Sequence, residues 1–462
     1  MNAIDTKTGT VPLFDLSPEG FVWAVGIENT FIGQTDRIGE RPLDEFALTH
    51  HYQYWKEDLE RCASLGVQAI RYGMPWYKVE PAKGQFDWDW ADRAIDHANS
   101  LGLEIIFDLM HYGVPFWLDN QFLNTDYEKH VADWAHAVAY RYRDSIRYHT
   151  PFNETLICTE FAGLRGMWPP YLRGHDGQVK LLRNIARGMT LSIEAIRAAR
   201  SDAVIVQVDA AGEVLPDTPD LAEAAAIETA KTFMGSDLVV GMVDGDHILT
   251  EWLLRHGMSE ADLEWHRARP QQLDIVGTNY YPEVSVQRLV RWQDELVRKP
   301  ISGRGEGMKR SIRAFAERYG KPVVVTESSL NGTIAERAAW LREAAIACAE
   351  ARAEGLPLVG FTWFPVFDLI DWVYRSGRPL EDYITRQGPK HLNPDQIAAF
   401  MRYMRFSTIE NLSLQDWIAP MGLYTLKLGF DGTFDRIETE LVPQFREVVA
   451  ANAVGSIEGA AP

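Results

Sequence analysis

The chain has 462 residues, of which 46% are hydrophobic and 24% are charged, a composition typical of a globular protein with a large core. Its formal net charge of −19 argues against nucleic acid and anionic membrane surfaces as partners and favours an enzyme acting on a neutral substrate. No apolar stretch of about 18 residues predicts a membrane span, and the first residues lack the pattern of a signal peptide, so we expect a cytoplasmic protein.

Eight short apolar runs alternate with helical patterns along the chain. Strands are predicted at 21–26, 67–72, 103–109, 145–152, 203–208, 274–278, 322–327 and 358–364. Helices are predicted at 51–65, 88–101, 126–143, 179–200, 219–234, 308–319, 334–354, 395–405 and 438–450. Continuously apolar strands separated by helices predict a parallel sheet buried on both faces, and eight of them predict an α/β fold closed into a (β/α)₈ TIM barrel.

The predicted barrel occupies residues 21–450 as a single domain, after an N-terminal lead-in at 1–20 and before a C-terminal tail at 451–462. No low-complexity linker divides it. A homo-oligomer remains possible, because sequence alone does not determine the oligomeric state.

No cofactor or metal site is predicted. The segment 302–307 (SGRGEG) is glycine-rich but lacks the lysine of a phosphate-binding loop, and His50-His51 has no further ligands at metal spacing. Cys62, Cys158 and Cys348 have no CxxC spacing, so we expect buried thiols in a reducing compartment.

Two glutamates follow apolar runs at the ends of predicted strands. Glu154 ends the fourth run as part of Asn153-Glu154, and Glu327 ends the seventh. Catalytic groups of TIM barrels project from the C-terminal ends of the strands, so the two carboxyls are expected to face each other across the barrel mouth. Such a pair can cleave a glycosidic bond, with a separation of about 5–5.5 Å for a retaining enzyme and roughly 6.5–9.5 Å for an inverting one.

Several short motifs, in order, resemble those of the family 1 glycoside hydrolases, the β-glucosidase family. They are 21–23 (FVW), 70–76 (IRYGMPW), 111–112 (HY), 115–118 (PFWL), 152–154 (FNE), 277–281 (GTNYY), 325–327 (VTE) and the segment from Trp363 to Trp372. The similarity extends over roughly residues 20–450. It implies a cofactor-free retaining exo-β-glycosidase on a TIM barrel, acting on a small glycoside or an oligosaccharide.

The resemblance also implies a role for individual residues. Glu154 would be the acid and base, and Glu327 the nucleophile, held ionised by Arg71 and Tyr281. Asn153 would bind the sugar 2-hydroxyl. Further contacts to the sugar are implied for His111, Asn279, Trp363, Asp371, Trp372 and Glu28.

The chain also departs from the family motifs. Thr155 replaces the usual proline after Asn-Glu, Ser328-Ser329 replaces Asn-Gly, and Asp371 stands where a glutamate is usual, one residue further from Trp363. Since these changes fall around the sugar pocket, the preferred sugar need not be glucose. Arg375, Arg378, Arg386 and Lys390 leave an acidic sugar as a minority hypothesis.

Three alternatives remain open from the sequence. A transglycosylase would use the same mechanism, a carbohydrate-binding barrel would have lost catalysis, and a metal-dependent barrel hydrolase would need ligands at strand ends that the sequence does not offer.

Overall fold

A computed structural model describes residues 13–14, 20–292, 294–376 and 412–453. Eight parallel strands close into a barrel in which each strand pairs with its neighbours along the chain and the last pairs with the first. They are β1 (Val22–Gly26), β2 (Ala69–Gly73), β3 (Glu104–Asp108), β4 (Tyr148–Thr150), β5 (Val204–Ala210), β6 (Ile275–Asn279), β7 (Val323–Ser328) and β8 (Leu358–Trp363). The predicted (β/α)₈ barrel is confirmed.

Helices cover the outside of the barrel and its loops. The α-helices are Glu45–Leu48, His51–Ser64, Trp76–Val79, Asp89–Ser100, Tyr127–Arg141, Thr155–Thr159, Gly174–Ala199, Ala222–Ala230, Met234–Val239, Thr250–Arg255, Glu260–Arg267, Arg304–Tyr319, Ile334–Ala353 and Leu441–Ala453. Shorter 3₁₀ turns are Gln121–Leu123, Pro219–Leu221, Lys231–Phe233, Trp372–Ser376 and Leu414–Trp417, and Glu160–Leu164 is a π-helical turn.

Further short strands lie outside the barrel: Phe31–Ile32, Leu43–Asp44, Glu213–Pro216, Val286–Trp292, Glu295–Ile301, Leu369–Ile370, Ile418–Ala419, Tyr424–Leu428 and Phe434–Glu438. The pair Val286–Trp292 and Glu295–Ile301 forms a β-hairpin, which we call the β6 hairpin because it follows β6. Its first strand runs parallel to Glu213–Pro216, giving a three-stranded sheet beside the barrel mouth.

Several predicted boundaries are wrong. The segment after β6, where no strand is predicted, is the β6 hairpin, and the helix expected at 308–319 begins at Arg304. Glycines at 303, 305 and 307 disfavour a helix start, but there the chain packs against Tyr280 and the Gly305 amide donates to Glu343 (2.7 Å). The last helix is Leu441–Ala453 rather than 438–450, while 395–405 lies outside the described residues.

Apolar side chains fill the lower part of the barrel. Ala24, Ile106, Val206 and Val324 belong to one buried cluster, and Leu13 and Phe14 of the lead-in pack against it. Towards the C-terminal ends of the strands the inward side chains become polar, which makes this end of the barrel the place for a reaction site.

The three cysteines are buried and free, as predicted. None of the helices in the described ranges combines the length and apolarity that a bilayer crossing requires.

Candidate active site

Glu154 lies between β4 and the helix Thr155–Thr159, with its backbone in the left-handed region (φ 47°, ψ 72°). A non-glycine residue in this region is strained, and such residues cluster at functional sites. The buried carboxyl accepts hydrogen bonds from the hydroxyl of Tyr112 and from the amide of Asn279, the latter at 3.0 Å. Both donors are neutral groups.

Glu327 lies within β7, where the pairing with β6 shifts register between Val325 and Glu327. Its carboxylate accepts hydrogen bonds from the guanidinium of Arg71 and from the hydroxyl of Tyr281, the latter at 2.7 Å. Both predicted partners of this carboxylate are therefore in contact with it. Tyr281 reaches the site because it follows β6 directly.

Arg71 connects the residues at the bottom of the site. Its second terminal nitrogen donates to Asp108 (2.8 Å) and to the side-chain oxygen of Asn153 (2.8 Å). Asp108 in turn bonds Nδ1 of His111 (2.8 Å). Arg71 is 1% exposed, so its hydrogen bonds go to carboxylates and an amide of the protein rather than to solvent.

The two amide side chains at the site are oriented by hydrogen bonds. Asn279 accepts from the hydroxyl of Thr326 (2.7 Å), so its nitrogen donates towards Glu154 and towards Asn153 (3.1 Å). Asn153 in turn donates to the hydroxyl of Tyr112 (2.9 Å). These bonds hold both amides next to the carboxyl pair.

The two glutamates have different electrostatic surroundings. Burial, together with the negative charge of Glu327, raises the pKa of Glu154 to about 7. Burial also raises the pKa of Glu327, but Arg71 and His111 oppose that rise. Arg71 and His111 thus favour the ionised form of Glu327, and among the described residues Glu154 has no hydrogen bond from a cationic group.

The charges around His111 favour its protonated form. Burial opposes this charge, but the hydrogen bond that His111 donates to Asp108 and the nearby Glu28 and Glu327 raise the pKa of His111. Although burial acts against ionisation of Asp108, Arg71 and His111 lower the pKa of Asp108. Cations and carboxylates thus alternate through the bottom of the site.

The two glutamates line one cavity of about 1140 Å³. Predicted sugar contacts at Glu28, His111, Asn279, Asp371 and Trp372 line the same cavity. Glu28 accepts from the amide of Thr30 (2.9 Å) and lies 3.6 Å from Nε2 of His111. The backbone amide of Val373 donates to Asp371 (2.9 Å), and burial raises the pKa of Asp371.

Apart from Asn153, which is buried beside the carboxyl pair, Trp363 is the predicted sugar contact that does not line the cavity. It is completely buried on the outer side of β8, packed against Phe445 of the last helix, and its indole nitrogen donates to the carbonyl of Met421 (3.3 Å). The prediction is wrong because β8 pairs with β1 such that Trp363 lies opposite Val25, on the outer side. Phe364 instead lies beside His111 and Arg71.

Sequence reasoning missed three residues of the site: Asp108, Tyr112 and Phe364. Asp108 ends an apolar run, the same signal that marked Glu154 and Glu327, so it could have been found. Tyr112 lies in a motif that was recognised, but nothing in its sequence context indicated a contact with Glu154.

The minority hypothesis of an acidic sugar rested on basic residues after β8. Arg375 is buried and donates to the main-chain carbonyls of Ile32 (2.8 Å) and Arg41 (3.4 Å), so its side chain is engaged by the protein itself. Arg378, Arg386 and Lys390 lie outside the described residues. Across the described part of the chain, no group of three or more His, Cys, Asp or Glu side chains is arranged to hold a metal ion.

The chain is similar to known glucosidases. The chain is 22% identical over 454 residues to β-glucosidase A of Thermotoga maritima, covering 86% of this chain and 99% of that protein. It is 24% identical over 417 residues to aryl-phospho-β-D-glucosidase BglH of Bacillus subtilis, covering 76% and 88%. The structure of the Thermotoga maritima β-glucosidase in complex with castanospermine has the same fold, with a TM-score of 0.74, 18% identity, and coverage of 94% and 98%.

The family model described as glycosyl hydrolase family 1 matches residues 24–299, more than half of the chain. The matched region includes Glu154 of the carboxyl pair. It also includes Arg71 and Tyr281, which both bind the other carboxyl, that of Glu327. The chain is a glycoside hydrolase and belongs to glycosyl hydrolase family 1.

Proposed function

We propose that the protein is a retaining, exo-acting β-glycosidase in which Glu327 is the nucleophile and Glu154 is the acid and base. The observation that carries this proposal is the difference between the partners of the two carboxyls. Glu327 is bound by the cation of Arg71, whereas Glu154 is bound by the neutral Tyr112 and Asn279. A neighbouring cation stabilises a carboxylate, which supports an ionised Glu327 beside a protonated Glu154.

In the first step the Glu327 carboxylate attacks the anomeric carbon of the bound sugar, the glycon. The bond from that carbon to the oxygen of the leaving group, the aglycone, breaks with its electron pair moving to the oxygen. Glu154 gives this oxygen its proton, so the aglycone departs as a neutral alcohol. The products are a glycosyl ester on Glu327 and an ionised Glu154.

In the second step water replaces the aglycone. Glu154, now a base, takes a proton from the water as its oxygen attacks the anomeric carbon, and the ester bond to Glu327 breaks. Two displacements return the sugar with its original anomeric configuration. Net consumption is one water molecule, and both glutamates regain their starting protonation states.

Neighbouring side chains supply the remaining parts of the mechanism. Tyr281 hydrogen-bonds Glu327 and thus fixes the direction of attack, and Asn153, which Arg71 holds beside the carboxyl pair, is proposed to bind the sugar 2-hydroxyl. Glu28, His111, Asn279, Asp371 and Trp372 are the proposed further contacts to the glycon. The names of the relatives, among them β-glucosidase A, support a β-linked substrate.

Azide rescue tests the two roles separately. Glu327→Gly should remove hydrolysis of 4-nitrophenyl β-glycosides, and added azide should restore turnover with an α-glycosyl azide as product. Glu154→Gly should keep its first step on these activated substrates and should give a β-glycosyl azide instead. Glu350→Gln, which alters a surface ion pair with Lys309, serves as the control. Rescue with the two configurations exchanged, or full activity of Glu327→Gly, would refute the assignment.

A further inference from the structure

The cavity continues from the carboxyl pair into an outer chamber with a largely apolar lining. This outer chamber is formed by the segment after Glu154, the helix Ala222–Ala230 and the β6 hairpin. Its principal apolar side chains are Ile157, Phe161, Ile227, Leu289, Trp292 and Leu296. At about 1140 Å³ the whole cavity exceeds the roughly 300–1,000 Å³ of ordinary ligand pockets. There is space for a sizeable aglycone.

The β6 hairpin leaves large apolar side chains accessible at this cavity. Trp292 is 41% exposed, Leu296 is 47% exposed, and Val284 just before the hairpin is 51% exposed. All three side chains line the cavity. Apolar side chains that stay accessible around a cavity mark a binding site, because a ligand that covers them removes apolar area from water.

The lysine and arginine side chains of the outer chamber are paired with carboxylates of the protein. Arg298, on the second strand of the β6 hairpin, binds Glu160 (2.6 Å) and approaches Glu228 (3.5 Å). Glu160 also binds Arg165, and Glu228 binds Lys231 (2.5 Å). Although burial opposes its ionisation, Arg298 and Arg165 lower the pKa of Glu160 to about 2. Because Arg165, Lys231 and Arg298 are bound to carboxylates of the protein, these cations are not free to bind an anionic aglycone.

We propose that the outer chamber selects an apolar aglycone, so that the preferred substrates are β-glycosides of extended hydrophobic alcohols rather than oligosaccharides. This inference rests on the proposed function, since it assigns the leaving group of that reaction. A second sugar in the outer chamber would bring several hydroxyls next to apolar walls, and a polar group that loses water without gaining a hydrogen bond is destabilised. A hydrocarbon chain or ring system loses no hydrogen bonds there.

A series of alkyl β-glycosides tests the inference, using the glycon that the wild-type enzyme hydrolyses fastest as its 4-nitrophenyl glycoside. Methyl, butyl, hexyl and octyl glycosides have leaving groups of similar reactivity, so their kcat/KM values differ mainly through binding of the chain. Below the micellar concentrations, kcat/KM should rise about two- to fourfold per methylene while the chain is covered by the outer chamber. The disaccharide and trisaccharide of the same glycon should fall below the octyl glycoside.

Variants of the β6 hairpin connect this dependence to the outer chamber. Trp292→Ala and Leu296→Ser should each reduce the increase in kcat/KM per methylene, when each variant is normalised to its own methyl glycoside. Phe430→Ala provides the matched control, because Phe430 is an exposed apolar residue outside the cavity lining. Its dependence on chain length should equal that of the wild type.

The outcomes separate this inference from the proposed function. Absence of hydrolysis of every 4-nitrophenyl β-glycoside would overturn the proposed function itself. Three other results would overturn only the inference that the outer chamber selects an apolar aglycone, provided that the 4-nitrophenyl glycosides are hydrolysed. These results are a kcat/KM that does not depend on alkyl length, a preference for the oligosaccharides, and a preference for a carboxylate-ended chain over an alkyl chain of equal length. A length dependence that Trp292→Ala leaves unchanged would also overturn it.

Discussion

The guanidinium of Arg71 contacts the carboxylate of Glu327, and both side chains are buried at the mouth of the barrel. Arg71 also binds Asp108 and Asn153, so a single cation holds the proposed nucleophile, a supporting carboxylate and a proposed sugar contact in one geometry.

Arg71→Lys should reduce kcat/KM about 10²–10³-fold, the usual effect of removing one preorganised donor from a charged reacting group. A lysine ammonium cannot reproduce the planar guanidinium that binds Glu327, Asp108 and Asn153 at once. Steady-state kinetics on a 4-nitrophenyl β-glycoside measure the effect. Arg436→Lys is the control, since Arg436 holds buried Asp58 through two nitrogens away from the cavity. Equal kcat/KM in Arg71→Lys and the wild type would contradict the role given to Arg71.

The pH dependence of kcat/KM should be bell-shaped. The raised pKa of Glu154, about 7, implies that activity falls as the pH rises through that value and the proton needed by the leaving group is lost. Activity should also fall in acid, where Glu327 becomes protonated. Measurement of kcat/KM against pH at constant ionic strength reports both limits for the free enzyme.

Two tyrosine variants should shift these limits separately. Tyr112 donates to Glu154 and lowers its pKa, so Tyr112→Phe should move the alkaline limit to higher pH. Tyr281 donates to Glu327 and lowers that pKa, so Tyr281→Phe should move the acid limit to higher pH. If both variants moved the same limit, the assignment of the two glutamates would fail.

Glu154→Gly should be more stable than Glu154→Ala by about 1 kcal/mol. Both substitutions remove the buried carboxyl, but only alanine retains a Cβ at φ 47°, where L-residues are disfavoured. Urea unfolding followed by circular dichroism gives the difference in free energy of unfolding. At the exposed helix position Glu350, the Gly variant should have a lower free energy of unfolding than the Ala variant, because glycine destabilises a helix interior.

Sugars that carry a phosphate should be poor substrates. Glu28 and Asp371 line the cavity with Glu154 and Glu327, and like charges at close range cost several kcal/mol, so a 4-nitrophenyl 6-phospho-β-glycoside should react at least about 10²-fold more slowly than its neutral counterpart. Glu28→Gln should reduce the preference for the neutral glycoside over the phosphorylated one. A preference for the phosphorylated compound would instead align this chain with relatives such as BglH.

The sequence predicts the barrel and the carboxyl pair because both depend on local patterns, namely apolar runs and the acidic residues that end them. The β6 hairpin could not be predicted in this way. Its strands mix charged and apolar residues without a regular period of two, and they are held by pairing with Glu213–Pro216, which lies about 70 residues earlier in the chain.

The positions of Trp363 and Phe364 show a second limit. Adjacent residues at a strand end point to opposite sides, so a one-residue error in the end of β8 exchanges the outer and inner positions. Only the pairing of Trp363 with Val25 determines which aromatic side chain reaches His111.

Arg375 binds the segment after β1 through main-chain oxygens at Ile32 and Arg41. Such acceptors are present whatever side chains these two positions carry, so this connection between the last and the first βα unit tolerates substitution there. The path of the backbone at these two positions can therefore persist while their side chains diversify. Substitutions of Ile32 and Arg41 should therefore leave this connection in place, whereas a change of Glu40 would remove a carboxylate that binds Arg375 (3.1 Å).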